Sequence, residues 1–191
     1  MLIMEPRAFE IEMDTGALRP AERVIRRTLR EMRALFADQD AVERILATDG
    51  DRLIYEVCLA GIEEAAGQIP YSTTVIQPGR VGDEFHMTKG HFHVLRDRAE
   101  IYLGLAGEGH LILQTEDGTA RSLSMRPGTV GYVPPHWGHR TANSGSVPFA
   151  FLAAWPGEAG HDYGTVEERG FAQILVSRDG RPTLIANPKH V

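Results

Sequence analysis

Two histidines stand one residue apart in Gly90-His91-Phe92-His93, and a glutamate follows at position 100. In an extended strand, residues two apart share a face, so His91 and His93 project together while Phe92 enters the opposite layer. Two imidazoles on one face are a natural pair of metal ligands, because neutral imidazole binds iron, nickel, zinc and manganese through a ring nitrogen. His-x-His is weak on its own: a partly exposed pair, or one hydrogen-bonded in a core, is at least as common. The intervening VLRDRA can turn the chain, after which Glu100 opens a further apolar run, EIYLGLAGEG. A strand–turn–strand of this kind brings the carboxylate beside the two imidazoles.

Further along, Gly128-TVGYV-Pro134 leads to His139 and Asn143. This segment resembles the second cupin motif, and His91-x-His93 through Glu100 to Gly107 resembles the first. The first departs from the motif by carrying six residues between His93 and Glu100, more than is usual, and His136 occupies a position where the second motif has glycine. A turn lengthened by two residues leaves Glu100 on the same face, because two residues are one strand period. Three histidines and a carboxylate form an N₃O set that suits a mononuclear divalent metal and leaves positions open for water or substrate. His91, His93, Glu100 and His139 are therefore the predicted metal ligands, with Fe²⁺ placed first and Ni²⁺, Mn²⁺ or Zn²⁺ as alternatives. Of the other histidines, His86 is expected behind the ligands or exposed, and His110 on a sheet surface. His136 either lines the cavity or caps its loop, and His190 is expected in solvent.

Short runs rich in β-branched and aromatic residues must position these groups: LIYEVCLA, STTVIQ, EFHMT, EIYLGLA, HLILQT, GTVGYVP, FAFLAAWP, ILVS and TLIA. Turn signals separate them, and the pairs Asp117-Gly118 and Asp179-Gly180 between apolar runs predict hairpins. Many short strands without alternating helices predict an antiparallel sandwich or barrel. Ahead of them, Pro20 with Val24, Leu29, Met32, Leu35 and Phe36 predicts an amphipathic helix. Arg23, Arg26, Arg27, Arg30 and Arg33 then read as its solvated face, interleaved with Glu22 and Glu31, in preference to an anion-binding surface. A second helix is predicted in Asp40-AVERILA, with Asp40 as N-cap and Glu43 completing a capping box. The chain is expected to be one domain over 1–191, a helical extension at 1–50 preceding a β-barrel at 51–191.

Composition narrows the classes. The 191 residues carry net charge −6, 42% hydrophobic and 24% charged residues, enough apolar mass to bury a core. An acidic chain is a poor general nucleic-acid binder. The single cysteine, Cys58, excludes an intrachain disulfide or thiolate cage and fits a reducing compartment. The opening MLIMEPRAFE does not read as a secretory signal, and no apolar run approaches the roughly 18 residues of a membrane span. A cytoplasmic location without nucleic-acid or membrane partners is expected.

FHMTKGHFHVLRDRAEIY, MRPGTVGYVPPHWGHRTANSG and AGHDYGTVEERGF, with the threonine pair in STTVIQPGRVGDEF, resemble the cupin-type glucose-6-phosphate isomerases. The likeness extends over nearly the whole chain, and the TKGHFH…RAEIY block accounts for the long first motif. The resemblance implies an all-β-dominated cupin, a double-stranded β-helix or jelly-roll barrel with a short N-terminal helical segment. It implies interconversion of glucose 6-phosphate and fructose 6-phosphate, in glycolysis or gluconeogenesis, by a homodimer with one divalent metal per subunit. His91, His93, Glu100 and His139 would bind that metal. Tyr55, Thr74, Thr88, Gly90 and Tyr102 would lie near phosphate and sugar, with His161 and Tyr163 closing the site. Glu100 is the candidate base for a cis-enediol route; a hydride shift is the alternative. Trp155 stands where the family carries tyrosine. Lys89 is either directed at phosphate or exposed and paired with Asp97. The rivals are an iron-dependent cupin dioxygenase and a non-catalytic sugar-phosphate-binding cupin.

Overall fold

The computed structural model describes residues 5–190, so the first four residues of MLIMEPRAFE lie outside the described residues. Alternating strand sequences build a main antiparallel sheet of six strands. Their spatial order is Val130–Val133, Glu100–Ala106, Phe149–Ala154, Tyr71–Ile76, Leu53–Leu59 and Arg23–Thr28. A second sheet, Ala120–Met125, Gly109–Gln114 and Gly138–Asn143, is extended by the bridges Met87↔Ala142 and His91↔His139. The short strand Phe92–His93 continues from there and pairs with His161–Asp162. Arg181–Ala186, Gln173–Arg178, Glu84–Phe85 and Arg80–Val81 form a flanking four-stranded sheet. This is the cupin double-stranded β-helix. Its core includes Phe36, Phe92, Phe149 and Phe171, each almost wholly buried, and each such ring contributes about 1.5–3 kcal/mol by leaving water.

Both Asp-Gly signals lie in hairpins. Asp117-Gly118 joins Gly109–Gln114 to Ala120–Met125, and Asp179-Gly180 joins Gln173–Arg178 to Arg181–Ala186. At the second, Asp179 and Gly180 both have positive φ, 50° and 74°, the conformation of a tight two-residue hairpin loop.

The front of the chain differs from the helix expected there. Arg23–Thr28 is a strand paired with Leu53–Leu59, and helix begins only at Leu29–Met32. Thr28 and Glu31 form the capping box that starts that turn. Apolar spacing through Val24 and Leu29 mimics a helical period, but Val24 lies on the outer face of a sheet while Leu29 is buried. The following helix, Gln39–Thr48, is capped by Asp38, whose side chain accepts the Ala41 N–H at 2.8 Å, and Asp40 falls inside its first turn. Upstream, Glu10–Ile11 pairs with Leu18–Arg19, and Phe9, Ile11 and Leu18 cover Cys58, Ala60 and Tyr71.

Candidate active site and metal centre

His91 and His139 face each other across an antiparallel bridge. The His91 N–H donates to the His139 carbonyl at 3.1 Å, and the His139 N–H returns the bond at 2.9 Å. Directly opposed residues send their side chains to one face, and these imidazole centroids lie 4.4 Å apart. His93 follows one strand period later, while Phe92 points the other way and packs on Gly138. A Cβ at Gly138 would stand 2.6 Å from the Phe92 ring, so only glycine fits beside His139. Glu100, the first residue of its strand in the main sheet, places Oε2 3.1 Å from His93 Nε2 and 2.9 Å from His139 Nε2. One ligand atom from each of these four residues lies within 4.8 Å of the others.

Neighbouring carbonyls aim the rings. His93 Nδ1 lies 3.0 Å from the Arg98 carbonyl, and His139 Nδ1 lies 3.3 Å from that of Trp137. An Nδ1–H held by a carbonyl leaves the Nε2 lone pair directed at the cluster. The long turn between His93 and Glu100 thus carries the group that orients His93. Arg96 in the same turn donates to the His93 carbonyl and pairs with Asp162 at 2.7 Å.

The Nε2 atom of His91 is buried and without a hydrogen-bond partner, while that of His139 faces the Glu100 carboxylate. A buried unsatisfied polar atom costs about 1–3 kcal/mol, so an orphaned imidazole nitrogen converging with two other imidazoles on one carboxylate fits a bound cation. Burial, and then repulsion from His139, holds the His91 pKa well below its ordinary value, favouring the neutral ligand form. Burial alone would raise the Glu100 pKa, but the His139 and His93 imidazoles outweigh it and keep the group strongly acidic.

A cavity of about 380 Å³ opens over this cluster, within the usual size of small-ligand sites. Strand alternation lines it. Arg23, Ile25 and Arg27, then Tyr55, Val57 and Leu59, then Ser72 and Thr74 contribute from successive strands of the main sheet. Phe151, Ala153, Glu100 and Tyr102 complete that wall, and Thr88, Lys89, Gly90 and His91 face it. Gly90 has φ +75°, and a Cβ there would meet Arg140 Cβ at 2.8 Å. Tyr102 is buried; burial, then the Glu100 carboxylate, raises its pKa well above the ordinary tyrosine value.

His161 stacks on Tyr163 at 5.9 Å and 12°, with its ring 4.5 Å from His91 and 5.4 Å from Trp155. Burial lowers the His161 pKa, opposed by Glu64, whose carboxylate is 3.8 Å from Nδ1. Burial, with the neighbouring Tyr55 and Glu64, pushes Tyr163 up to about 12. Trp155 lines the cavity with a buried Nε1 that has no partner. Lys89 also lines the cavity, but its ammonium pairs with Glu167 instead of Asp97 and lies 4.8 Å from the centroid of the Tyr163 ring.

The model for the glucose-6-phosphate isomerase family matches residues 26–189. The chain belongs to that family. It is 46% identical over 189 residues to glucose-6-phosphate isomerase of Thermococcus litoralis, covering 99% of this chain and 98% of the relative. The isomerase of Pyrococcus horikoshii is 44% identical over 185 residues, 97% of each chain. Among solved structures, an oxalate decarboxylase of Lactobacillus farciminis in complex with formate aligns at TM-score 0.45 and 23% identity. That alignment covers 57% of this chain and 30% of the decarboxylase.

All residues for which family resemblance implies a role line the one cavity except His93, which closes the cluster from beneath. Arg23, Arg27 and Glu64 also line it and were not expected there. Their signal for the two arginines is the two-residue period Arg23, Ile25, Arg27, masked by the helical spacing of neighbouring apolar residues. The other histidines lie outside the cavity. His86 is buried against the Gln77 carbonyl, His110 bonds Ser122, and His190 is exposed beside Arg169. His136 is exposed with φ 70°, the backbone for which the motif uses glycine, and its N–H donates to the Arg96 carbonyl. Asn143 is structural: its amide donates to Ile76 and Val147 carbonyls and its oxygen accepts from Gly145.

Proposed function

We propose that this chain interconverts glucose 6-phosphate and fructose 6-phosphate with a divalent metal held by His91, His93, Glu100 and His139. The observation that carries the metal reading is the buried, partnerless Nε2 of His91 converging with His93, His139 and Glu100 at the cavity floor. Fe²⁺ is placed first, with Ni²⁺, Mn²⁺ and Zn²⁺ compatible with the same donors. Such an ion would act as a Lewis acid toward the carbonyl and hydroxyl oxygens of the sugar.

The chain's own groups divide the remaining work. Tyr55, Thr74, Thr88 and the backbone at Gly90 supply donors for phosphate and sugar without requiring a large basic patch. Tyr102 would lie near the sugar, beside Glu100 in the same wall. On the enediol route Glu100 would be the base that moves the proton between C1 and C2, and His161 with Tyr163 would assist ring opening and close the site. The Trp155 indole N–H is free to donate to a substrate oxygen but, unlike the family's tyrosine, is no proton exchanger at working pH. A carboxylate engaged by two imidazoles is a weak base, which favours the second route, a hydride shift between C2 and C1.

We read the chain as one cupin domain, homodimeric and cytoplasmic, with no nucleic-acid or membrane partner. Among the described residues no helix is long and apolar enough to cross a membrane. A coupled isomerase assay with and without EDTA tests the reading. Chelation is expected to abolish activity, and Fe²⁺, Ni²⁺ or Mn²⁺ to restore it; full activity in chelator would overturn metal dependence. Absence of isomerisation with every metal would leave the dioxygenase or the non-catalytic binding protein. In D₂O, solvent deuterium in the product marks the enediol route, and its absence marks the hydride shift.

A further inference from the structure

Two arginines of the strand Arg23–Thr28 line the cavity on either side of Ile25, and they meet different surroundings. Arg23 pairs in register with Leu59 and also borders the adjoining cavity that holds Glu64 and Trp155. Arg27 pairs in register with Tyr55, which lines the cavity together with Thr88, Lys89 and Gly90. Arg27 therefore stands at the end of the cavity where Tyr55, Thr88 and Gly90 gather. Arg23 stands at the end that already carries a carboxylate.

The cations around Tyr55 decide what that end can bind. Tyr55 faces the cavity with Arg27 opposite it in register, and its hydroxyl can both donate and accept. The Lys89 ammonium, the other nearby cation, is already engaged by Glu167 and by the face of Tyr163. Arg27 has only a loose carboxylate contact, 3.5 Å to Glu31 between two side chains more than 40% exposed, the kind of pair that contributes little. A guanidinium presents several donors in a plane that matches phosphoryl oxygens.

We propose that Arg27 is the residue that selects the phosphate group of the substrate, binding its oxygens directly beside the Tyr55 hydroxyl. The identity of the ligand as a hexose phosphate rests on the isomerase reading; the recognition of an anion at Arg27 does not. The phosphate then lies at the Arg27 end and the reacting carbons beside Glu100 and His139, which orients the sugar in the cavity.

Two measurements on the metal-loaded protein test this: calorimetric titration with inorganic phosphate, and steady-state kinetics with fructose 6-phosphate. Arg27→Met is expected to weaken phosphate binding about tenfold or more and to raise KM by a similar factor, with kcat within about threefold. Arg27→Lys, which keeps the charge, is expected to recover part of both losses. Arg30→Met, an exposed arginine paired with Asp51 at 3.7 Å, is expected to change neither. Phosphate affinity and KM within about twofold of the parent in Arg27→Met, or a lower kcat at unchanged KM, would overturn the assignment. So would a parent chain that binds no phosphate. A parent that binds phosphate but isomerises neither sugar would overturn the isomerase reading while the titration still decides the role of Arg27.

Discussion

Glu84 and His86 sit two residues apart in the buried segment that leads to the ligand loop, and their opposed titrations make a measurable prediction. Glu84 is 3% exposed; one carboxylate oxygen accepts the Ala37 N–H at 2.9 Å and the other has no partner. Burial raises its pKa from 4.5 to about 7, against the smaller opposing pull of the Ala37 amide, Arg140 and Lys189. His86 is 1% exposed, with Nδ1 3.0 Å from the Gln77 carbonyl and Nε2 unpartnered. Burial, then the charge of Arg52, lowers its pKa from 6.5 to about 4.

Stability rises with pH wherever the unfolded chain binds more protons than the folded one. Between pH 4.5 and about 7 the folded chain keeps a proton on Glu84 that the unfolded chain has lost, so this residue lowers stability as pH rises. Between about 4 and 6.5 the unfolded chain holds a proton on His86 that the folded chain has lost, so this residue raises stability as pH rises. Each slope approaches about 1.4 kcal/mol per pH unit, and where the windows overlap the two nearly cancel. Glu84→Gln removes one of them. Urea unfolding of both chains in chelator, at pH values from about 4.5 to 8, is expected to show equal pH-dependent terms at the acidic end. By pH 8 the glutamine form should have gained about 3 kcal/mol on the parent, the linkage cost of moving one carboxyl from 4.5 to about 7. Its own stability should climb through the His86 window. A gap that stays constant with pH, or that shrinks as pH rises, would refute the assignment of the buried charge to Glu84.

Loss of metal and loss of chemistry should separate between the two walls of the site. His139→Ala is expected to lose bound metal, whereas Tyr163→Phe should keep the metal and lose turnover; metal loss in both, read by elemental analysis, would make the 161–169 segment structural. Gly138→Ala places a Cβ 2.6 Å from the Phe92 ring and should cost about 1–3 kcal/mol by overpacking, while displacing His139. An unchanged melting midpoint and metal content would show that this contact yields freely.

The ligand set was legible because alternation and motif spacing survive in the sequence: His91 and His93 share a face, and Glu100 keeps its face across a long turn. The strand that carries His139 was not legible as a strand. Gly138–Asn143 is buried at every position although its sequence, GHRTAN, is mostly polar. Most of its polar groups are matched within the fold, though Arg140 Nε has no partner. Arg140 donates to the Lys89 carbonyl at 2.7 Å, lies 4.2 Å from the Phe171 ring centroid and contacts Met87 sulfur. Thr141 N–H donates to the Thr88 hydroxyl, and Asn143 ties two turns. Hydropathy registers burial only when burial is apolar, so a strand held by paired polar groups reads as a loop. Arg23–Thr28 failed for the converse reason: a half-buried cationic face looks like a solvated one until Tyr55 stands opposite it.

These two misread strands supply the site's polar specificity. Gly138–Asn143 turns His139 toward the ligand cluster and Arg140 toward the opposite layer, where its guanidinium holds the Lys89 carbonyl. The Thr88 N–H donates to the Thr141 carbonyl at 2.8 Å and the His91 N–H to that of His139 at 3.1 Å, so the backbone from Thr88 to His91 is held along this one strand. Arg27 stands opposite Tyr55 on the edge strand. Net charge −6 therefore says little about whether this chain can bind an anion. What matters is how few of its cations face the cavity, and that Arg27, set opposite Tyr55, is only loosely held by a carboxylate. An acidic protein can select a phosphate this way because recognition is set over a few ångströms, whereas exposed surface charges more than a Debye length of about 8 Å away are largely screened.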